Sequence, residues 1–163
     1  MTNEAHMTST YLEVISLVER LHRNFLDVVK LELDNAEIRD INNVQSLLLF
    51  NIGDTEMTIG ELILRGCYLG SNVSYNVKKV VENGYLVAER SMHDHRSVHV
   101  RLSDKGHALC DRLNEMLRWH IAMLPQAMIA ETDLESAALT LRRIERLWMR
   151  ASDLIQRSGQ FAA

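Results

Sequence analysis

The feature that most constrains this chain is a short amphipathic helix followed at once by two β-prone runs, between residues 66 and 107. At 100° per residue, valines fall on one side of the predicted helix and polar or basic side chains on the other. Ser71 suits the N-cap position, and Gly84 suits the left-handed position that ends a helix. The valines expected to be buried are Val73, Val77, Val80 and Val81.

The polar side of this helix, from Asn72 to Asn83, carries groups that contact DNA. Amides and a phenol can bond base edges, and ammonium groups can hold phosphates. A solvated helix face would carry similar groups, so the helix alone does not decide between the two. We expect groove contacts from Asn72, Tyr75 and Lys79, and contacts to phosphates or flanking bases from Ser71, Asn76 and Lys78.

The runs Leu86–Arg90 and Val98–Leu102 predict a β-hairpin after this helix. The second run alternates apolar and polar residues, as a half-buried strand does, and the loop between the runs is polar and basic. A helix followed by a hairpin with a basic tip is the order of a winged helix-turn-helix. The predicted fold is therefore mainly α with a small β-hairpin wing.

Residues 84–87 and 93–106 resemble the wing signature of the MarR family of regulators. The family pattern is roughly G-L-V and then D-x-R-S-x-x-V-x-L-T-x-x-G, and this chain has Ser103 where threonine is commoner. The resemblance extends over nearly the whole length, because the flanking predicted helices fall where the family has them. It implies a sequence-specific transcriptional regulator, not an enzyme, which binds a pseudo-palindromic operator in double-stranded DNA as a homodimer, most simply as a repressor.

The predicted wing tip holds four further candidate residues. Arg96 is expected to contact the minor groove or a phosphate. The resemblance implies that Asp94 holds its guanidinium in place, and the alternative is a turn ion pair worth under about 1 kcal/mol. His93 and His95 are expected beside a DNA phosphate rather than on a metal, because no carboxylate or thiol at ligand spacing completes a set. No metal or cofactor is expected.

The net charge of −4 counts against a nucleic-acid partner, but its distribution does not. Residues 1–64 carry 4 Lys and Arg against 11 Asp and Glu, which gives −7. Residues 65–107 carry 7 against 4, which gives +3, and residues 108–163 carry 7 of each. The positive charge is therefore concentrated in the segment that resembles a DNA reader. The overall negative charge instead favours the alternative, a winged-helix protein-interaction module.

Helix starts are indicated by Ser, Thr or Asn three residues before Glu or Gln. Pro125 is expected to end or kink the long helix that Ser103 caps. A buried helix should begin at the pair of Asn42 and Gln45 and stop at Gly53. The predicted capping pairs are Thr10 with Glu13, Asn42 with Gln45, Thr58 with Glu61, and Thr132 with Glu135.

We expect one domain over residues 1–163, since its length allows a sizeable core. Helices at 10–33 and 104–158 would form the dimerisation bundle, and residues 42–102 the DNA-binding lobe. The last helix carries an apolar stripe that must pack on something. Packing within one chain is the simpler explanation, whereas two-fold DNA sites and the family resemblance favour a dimer.

The resemblance also implies a small aromatic or anionic effector, bound in a cleft between the dimer helices and the DNA-reading lobe. The expected lining residues are Phe25, Asn43, Leu47 and Tyr68, and the remaining aromatics and methionines are most simply core. Cys67 lies in the turn before the reading helix, where its oxidation could displace that helix. A buried and inert thiol is the expectation, because Arg65 is its single basic neighbour.

Two cysteines, no apolar run of about 20 residues and an N-terminus unlike a signal peptide predict a protein of the reducing cytoplasm, without a membrane partner. No phosphate-binding glycine loop, nucleophile elbow or other catalytic set is visible. Within the family, the run from Asn51 to Asn76 resembles alphaproteobacterial members associated with L,D-transpeptidase genes and stress tolerance.

Overall fold

The computed structural model of the chain describes residues 2–66, 70–90 and 98–159. Helices dominate, and a small antiparallel sheet accompanies them, which confirms the predicted fold class. No helix within these ranges is long and apolar enough to cross a membrane. The elements are α1 (Thr2–Asn35), α2 (Asn43–Ile52), β1 (Met57–Thr58), α3 (Ile59–Gly66), α4 (Gly70–Glu82), β2 (Leu86–Arg90), β3 (Val98–Leu102), α5 (Asp104–Met123), a 3₁₀ turn (Leu124–Ala127) and α6 (Glu131–Gly159).

The chain forms two compact units, residues 1–116 and residues 117–163. The first unit contains α1 to α4, the sheet and the first part of α5. The second contains the end of α5, the 3₁₀ turn at Pro125 and α6. Pro125 ends the long helix as predicted, because proline lacks the amide that the next helical turn would use.

The predicted hairpin of β2 and β3 is present, and a third strand joins it. The order is β1-β3-β2, with Val100 of β3 opposite both Met57 and Ala88. We did not predict β1, since two residues are too short to show a period of two in the sequence. Its position ties the start of α3 to the base of the wing.

The core of the first unit lies between the helices and one face of the sheet. Its side chains come from every element of that unit, and the expected buried face of α4 is confirmed for three of the four valines, while Val81 is half-buried. Burying such side chains is the dominant favourable term in folding. The fully buried members include Val29, Leu48, Leu49, Ile52, Leu62, Val73, Val80, Val100 and Leu113.

Three predicted helix caps are confirmed. Asn42 accepts a bond from the Gln45 amide at 2.8 Å, and the Gln45 side chain accepts one from the Asn42 amide at 3.1 Å. Thr58 and Glu61 exchange the same pair of bonds at 3.2 and 2.7 Å. The Ser103 hydroxyl likewise accepts from an amide in the first turn of α5. These bonds satisfy amides that have no partner inside the helix.

Two predicted helix starts are wrong. Helix α1 begins at Thr2, and the Thr10 hydroxyl donates to the carbonyl of His6 instead of capping. The residues before Thr10 include no proline or glycine, so nothing interrupts the helix there. Helix α6 begins at Glu131, because the Asp133 carboxylate accepts from the Ala130 amide and so starts the helix before Thr132.

The end of α4 is fixed by Gly84, as predicted. This glycine has φ +77°, a left-handed conformation that side chains disfavour. Its amide donates to the carbonyl of Val81, and the next amide, of Tyr85, donates to that of Val80. Together these are the two bonds of a Schellman ending. The start of α4 differs from our expectation, since the helix begins at Gly70 and Ser71 lies within its first turn. Glycine is itself accepted at helix starts.

A polar cluster around Asp40 joins the α1–α2 connection to the turn between α4 and β2 and to α5. The Lys105 Nζ lies 2.5 Å from one carboxylate oxygen of Asp40, and the Tyr85 hydroxyl donates to the other at 2.7 Å. The Asn83 side chain donates to the Asp40 carbonyl, and Lys105 also donates to that of Asn83 at 2.9 Å. The hydrogen bond from Lys105 holds the pKa of Asp40 below its usual range.

We expect Asp40→Asn to destabilise the protein by under about 1 kcal/mol at pH 7, because the pair is about half exposed and screened by water. A carboxyl whose pKa is lowered by folding stabilises the protein above its unfolded pKa, near 4, and stops doing so as the pH falls through the folded pKa. Urea unfolding of both proteins should therefore show a difference at pH 7 that is smaller at about pH 3. An equal difference at both pH values would mean that charge is not its cause.

Candidate nucleic-acid interface

The face of α4 opposite its buried valines is polar and open to solvent. Asn72 and Lys78 are exposed, and the Tyr75 side chain is 62% exposed although it is a large aromatic group. Lys79 is half-buried on the same side. The structure therefore brings these predicted contact residues together on one surface, while the side chain of Ser71 lies outside the described residues.

Asn76 stands at the edge of this surface and fastens α4 to α2. Its side-chain oxygen accepts a bond from the Gln45 side chain at 3.2 Å. The Gln45 side chain is itself held at its other end by the Asn42 amide. Asn76 therefore orients the helix, and its amide NH₂ remains the group with which it could bond DNA. This packing role was not predicted, since the two residues are 31 positions apart.

Glu82 limits the positive charge of α4. It lies 2.9 Å from the Lys79 Nζ and 3.9 Å from the Lys78 Nζ. The hydrogen bond between Lys79 and Glu82 lowers the pKa of the carboxyl and raises the pKa of the ammonium. The two lysines therefore share one neutralising partner. We did not include Glu82 among the site residues, although its spacing of three and four positions could have indicated it.

We expect Glu82→Gln to strengthen binding to DNA of any sequence by about threefold at low salt, because it frees two ammonium groups for phosphates. The slope of log affinity against log salt concentration should become more negative by up to about one, which corresponds to one more released counterion. Fluorescence anisotropy with a scrambled duplex measures both. Glu13→Gln on α1 removes the same charge at another exposed position. Equal effects of the two substitutions would mean that net charge alone is responsible.

The wing rises from β2 and β3, and its tip, residues 91–97, lies outside the described residues. The candidates His93, Asp94, His95 and Arg96 all fall in that segment. At the base of the wing, Arg101 lies 3.2 Å from Glu89 of the neighbouring strand. His99 lies 3.2 Å from Glu56 on the other side of the sheet. The Glu89 carboxylate therefore reduces the positive charge of Arg101 at the base of the wing.

Of the expected effector residues, three can be located. Asn43 donates its side-chain NH₂ to the carbonyl of Leu26 at 2.8 Å, so that group joins α2 to α1 and is already engaged. Phe25 and Leu47 are half-buried against the core. Tyr68 lies outside the described residues. An effector cleft at this position stays a prediction.

The described residues include no group of three or more side chains that could hold a metal ion. Cys67 lies outside them. Cys110 is buried in α5, and burial, followed by the charges of Asp111 and Asp54, raises the pKa of its thiol to about 11. The thiol therefore stays protonated and unreactive at neutral pH.

Comparison with known proteins shows the family to which the chain belongs. Residues 41–106 match the family model of a winged helix DNA-binding domain. The exopolysaccharide II synthesis transcriptional activator ExpG of Rhizobium meliloti is 36% identical over 143 residues, which cover 88% of this chain and 74% of the relative. A relative of this identity and coverage shares the fold and the family.

Two solved structures share the fold. Staphylococcus aureus MarR in complex with salicylate and kanamycin has a TM-score of 0.69 at 19% identity, over 86% of this chain and 93% of that one. Streptococcus pneumoniae FabT in complex with DNA has a TM-score of 0.62 at 22% identity, over 88% and 99%. The match to a winged helix DNA-binding domain and the similarity to ExpG point to a regulator and not to an enzyme. The chain belongs to the MarR family of winged helix-turn-helix transcriptional regulators.

Proposed function

We propose that the protein is a homodimer that binds a pseudo-palindromic operator through α4 and the wing. The observation that carries the proposal is the exposed face of α4, where Asn72, Tyr75 and Lys78 stand opposite the buried valines of the same helix. A helix so held can enter a major groove about 12 Å wide and bring amide, phenol and ammonium groups to base edges and phosphates. Arg96, with His93 and His95, would reach the adjacent backbone or minor groove.

Exposed apolar side chains support the dimer. Large hydrophobic residues are exposed on α6, and others are exposed on α1. We propose that a second copy covers them, with residues 10–33 and 104–158 as the dimerisation helices and 42–102 as the DNA-binding lobe. Patches of this kind mark interaction surfaces in proteins of this size. The exposed residues include Met7, Leu12 and Leu21 on α1, and Leu134, Leu141, Leu147, Trp148 and Ile155 on α6.

The relatives inform the finer parts of the proposal. FabT binds DNA and S. aureus MarR binds salicylate, which supports an operator and a small aromatic or anionic effector for this chain. The expected sign of regulation is repression, whereas ExpG is an activator. An effector would act by binding one of two conformations of the dimer more tightly than the other. It can shift operator affinity by no more than the ratio of its affinities for these two conformations. Control of L,D-transpeptidase and stress-tolerance genes stays a prediction.

Replacing Arg96 by alanine should weaken operator binding strongly, by about tenfold or more, because it removes a charged contact at the wing tip. The thermal midpoint should stay nearly unchanged, since a loop arginine contributes little to stability. Anisotropy titrations and a thermal melt of the same preparation test both expectations. An unaltered affinity would remove Arg96 from the interface, and a lowered midpoint would assign it a folding role.

Selection from a randomised duplex pool tests the proposed function. We expect enrichment of an inverted repeat whose half-sites are centred about one helical turn apart, each bound by one α4 of the dimer. Sedimentation of the enriched complex should then show two chains per duplex. Failure to enrich any sequence would contradict the proposal and favour a protein-interaction module built on the same fold.

A further inference from the structure

A groove of about 550 Å³ lies between the α1–α2 connection and the first turns of α5. Its accessible apolar surface comes from the half-buried Ile38 and the exposed Ala108. Leu109 and Tyr85 also line the groove but are almost fully buried, and the Lys105 ammonium lies over the Tyr85 ring. The volume falls within the range of about 300–1,000 Å³ that is typical of small-molecule sites. Phe25 and Leu47, where we expected an effector, do not line it, so it is a separate feature.

Both basic side chains of the groove are already paired. The Nε of Arg112 lies 2.7 Å from a carboxylate oxygen of Glu32 on α1. The Nζ of Lys105 lies 2.5 Å from Asp40 in the connection. The two bases are seven residues apart on α5, which is about 10 Å along the helix axis. These ion pairs bracket the groove and neutralise its positive charge.

Two carboxylates of the lining have no such partner. Asp111 and Glu115 are exposed, stand four residues apart on α5 and therefore lie on one face. Within residues 2–66, 70–90 and 98–159, neither forms an ion pair. Because the two bases are balanced by their own carboxylates, Asp111 and Glu115 leave the groove with a net charge of −2.

We propose that this groove binds a small organic cation with an aromatic or aliphatic body. The body would cover Ile38 and Ala108, and the charge would lie beside Asp111 and Glu115. Such a ligand displaces no existing contact. An anion would meet two carboxylates, and would have to compete with Asp40 for Lys105 and with Glu32 for Arg112. The two carboxylates therefore favour a ligand with a positive charge, and the apolar surface favours one with an apolar body.

Isothermal titration of the full chain, without DNA, with two probes of one shape and opposite charge tests the proposal. We expect 1-naphthylmethylammonium to bind at least about tenfold more tightly than 1-naphthoate, a difference of about 1.4 kcal/mol. Equal affinities, tighter binding of naphthoate or no binding of the cation would overturn it. Because no DNA is present, the result does not depend on whether the protein binds an operator.

Variants locate the cation. Asp111→Asn combined with Glu115→Gln should weaken its binding about tenfold, whereas Glu4→Gln combined with Glu13→Gln removes the same charge from α1 and should leave it unchanged. Ala108→Trp fills the groove from an exposed position without altering charge, and should abolish binding. Equal losses in the two double variants, or full binding by a folded Ala108→Trp protein, would place the cation elsewhere and overturn the proposal. If Ala108→Trp does not fold, the double variants decide.

Discussion

Replacing Gly106 by alanine is expected to destabilise the protein by about 3 kcal/mol, because the added methyl group has no room. A Cβ at this position would lie closer than 3.0 Å to the carbonyl oxygen of Tyr85, and 3.2 Å from the Leu102 side chain. That carbonyl cannot withdraw freely, since it accepts a hydrogen bond from the Ser103 amide at 3.0 Å. The small gain in helix propensity from glycine to alanine offsets little of this cost.

Gly60 of α3 supplies the matched control. A Cβ there would meet nothing nearer than the Thr58 hydroxyl at 3.9 Å, so Gly60→Ala should be neutral or stabilise by up to about 1 kcal/mol. Urea unfolding at one fixed protein concentration compares the two variants with the wild type, because the stability of a dimer depends on concentration. Equal stabilities for the two variants would contradict the close approach of α5 to the start of β2.

Replacing Asn72 or Tyr75 by alanine is expected to weaken operator binding about ten- to hundredfold each, since lost contacts to bases are worth about 1–3 kcal/mol. Affinity for scrambled DNA and its dependence on salt should change little, because these side chains carry no charge. Stability should stay within about 0.5 kcal/mol for Tyr75→Ala, whose side chain is 62% exposed. Anisotropy with operator and scrambled duplexes separates the two kinds of loss.

Leu64 is a suitable control for these variants. It is 80% exposed on α3, the first helix of the helix-turn-helix, and does not belong to the proposed reading face. Leu64→Ala removes exposed apolar surface comparable with that of Tyr75→Ala, and operator affinity should not change. If all three substitutions weaken operator binding to the same degree, the exposed face of α4 does not provide the specificity for DNA sequence.

Much of the fold could be predicted from short-range patterns. The valine period of α4, the alternation in β3 and the capping pairs at Asn42 and Thr58 each lie within one element and its border. The capping pattern was wrong at Thr10 because it shows that a residue can cap, not whether the chain before it is already helical. There the helix continues upstream, and the hydroxyl bonds to a carbonyl instead.

The contacts that position the site could not be predicted, because they join residues far apart in the chain. Asp40 and Lys105 are 65 residues apart, and Gln45 and Asn76 are 31 apart. No local pattern indicates such pairs. In the sequence, Gly106 was indicated by its place in the family motif. Its physical reason, the carbonyl of Tyr85 against the first turn of α5, became clear from the structure alone.

The measurement that tests the central claim most directly is anisotropy of the most enriched duplex against a scrambled duplex of equal length and composition, over a salt series. We predict that the enriched duplex binds about a thousandfold more tightly or better, and that affinity for both falls steeply as salt rises. Similar, weak affinities for the two duplexes at every salt concentration would contradict sequence-specific reading by this protein.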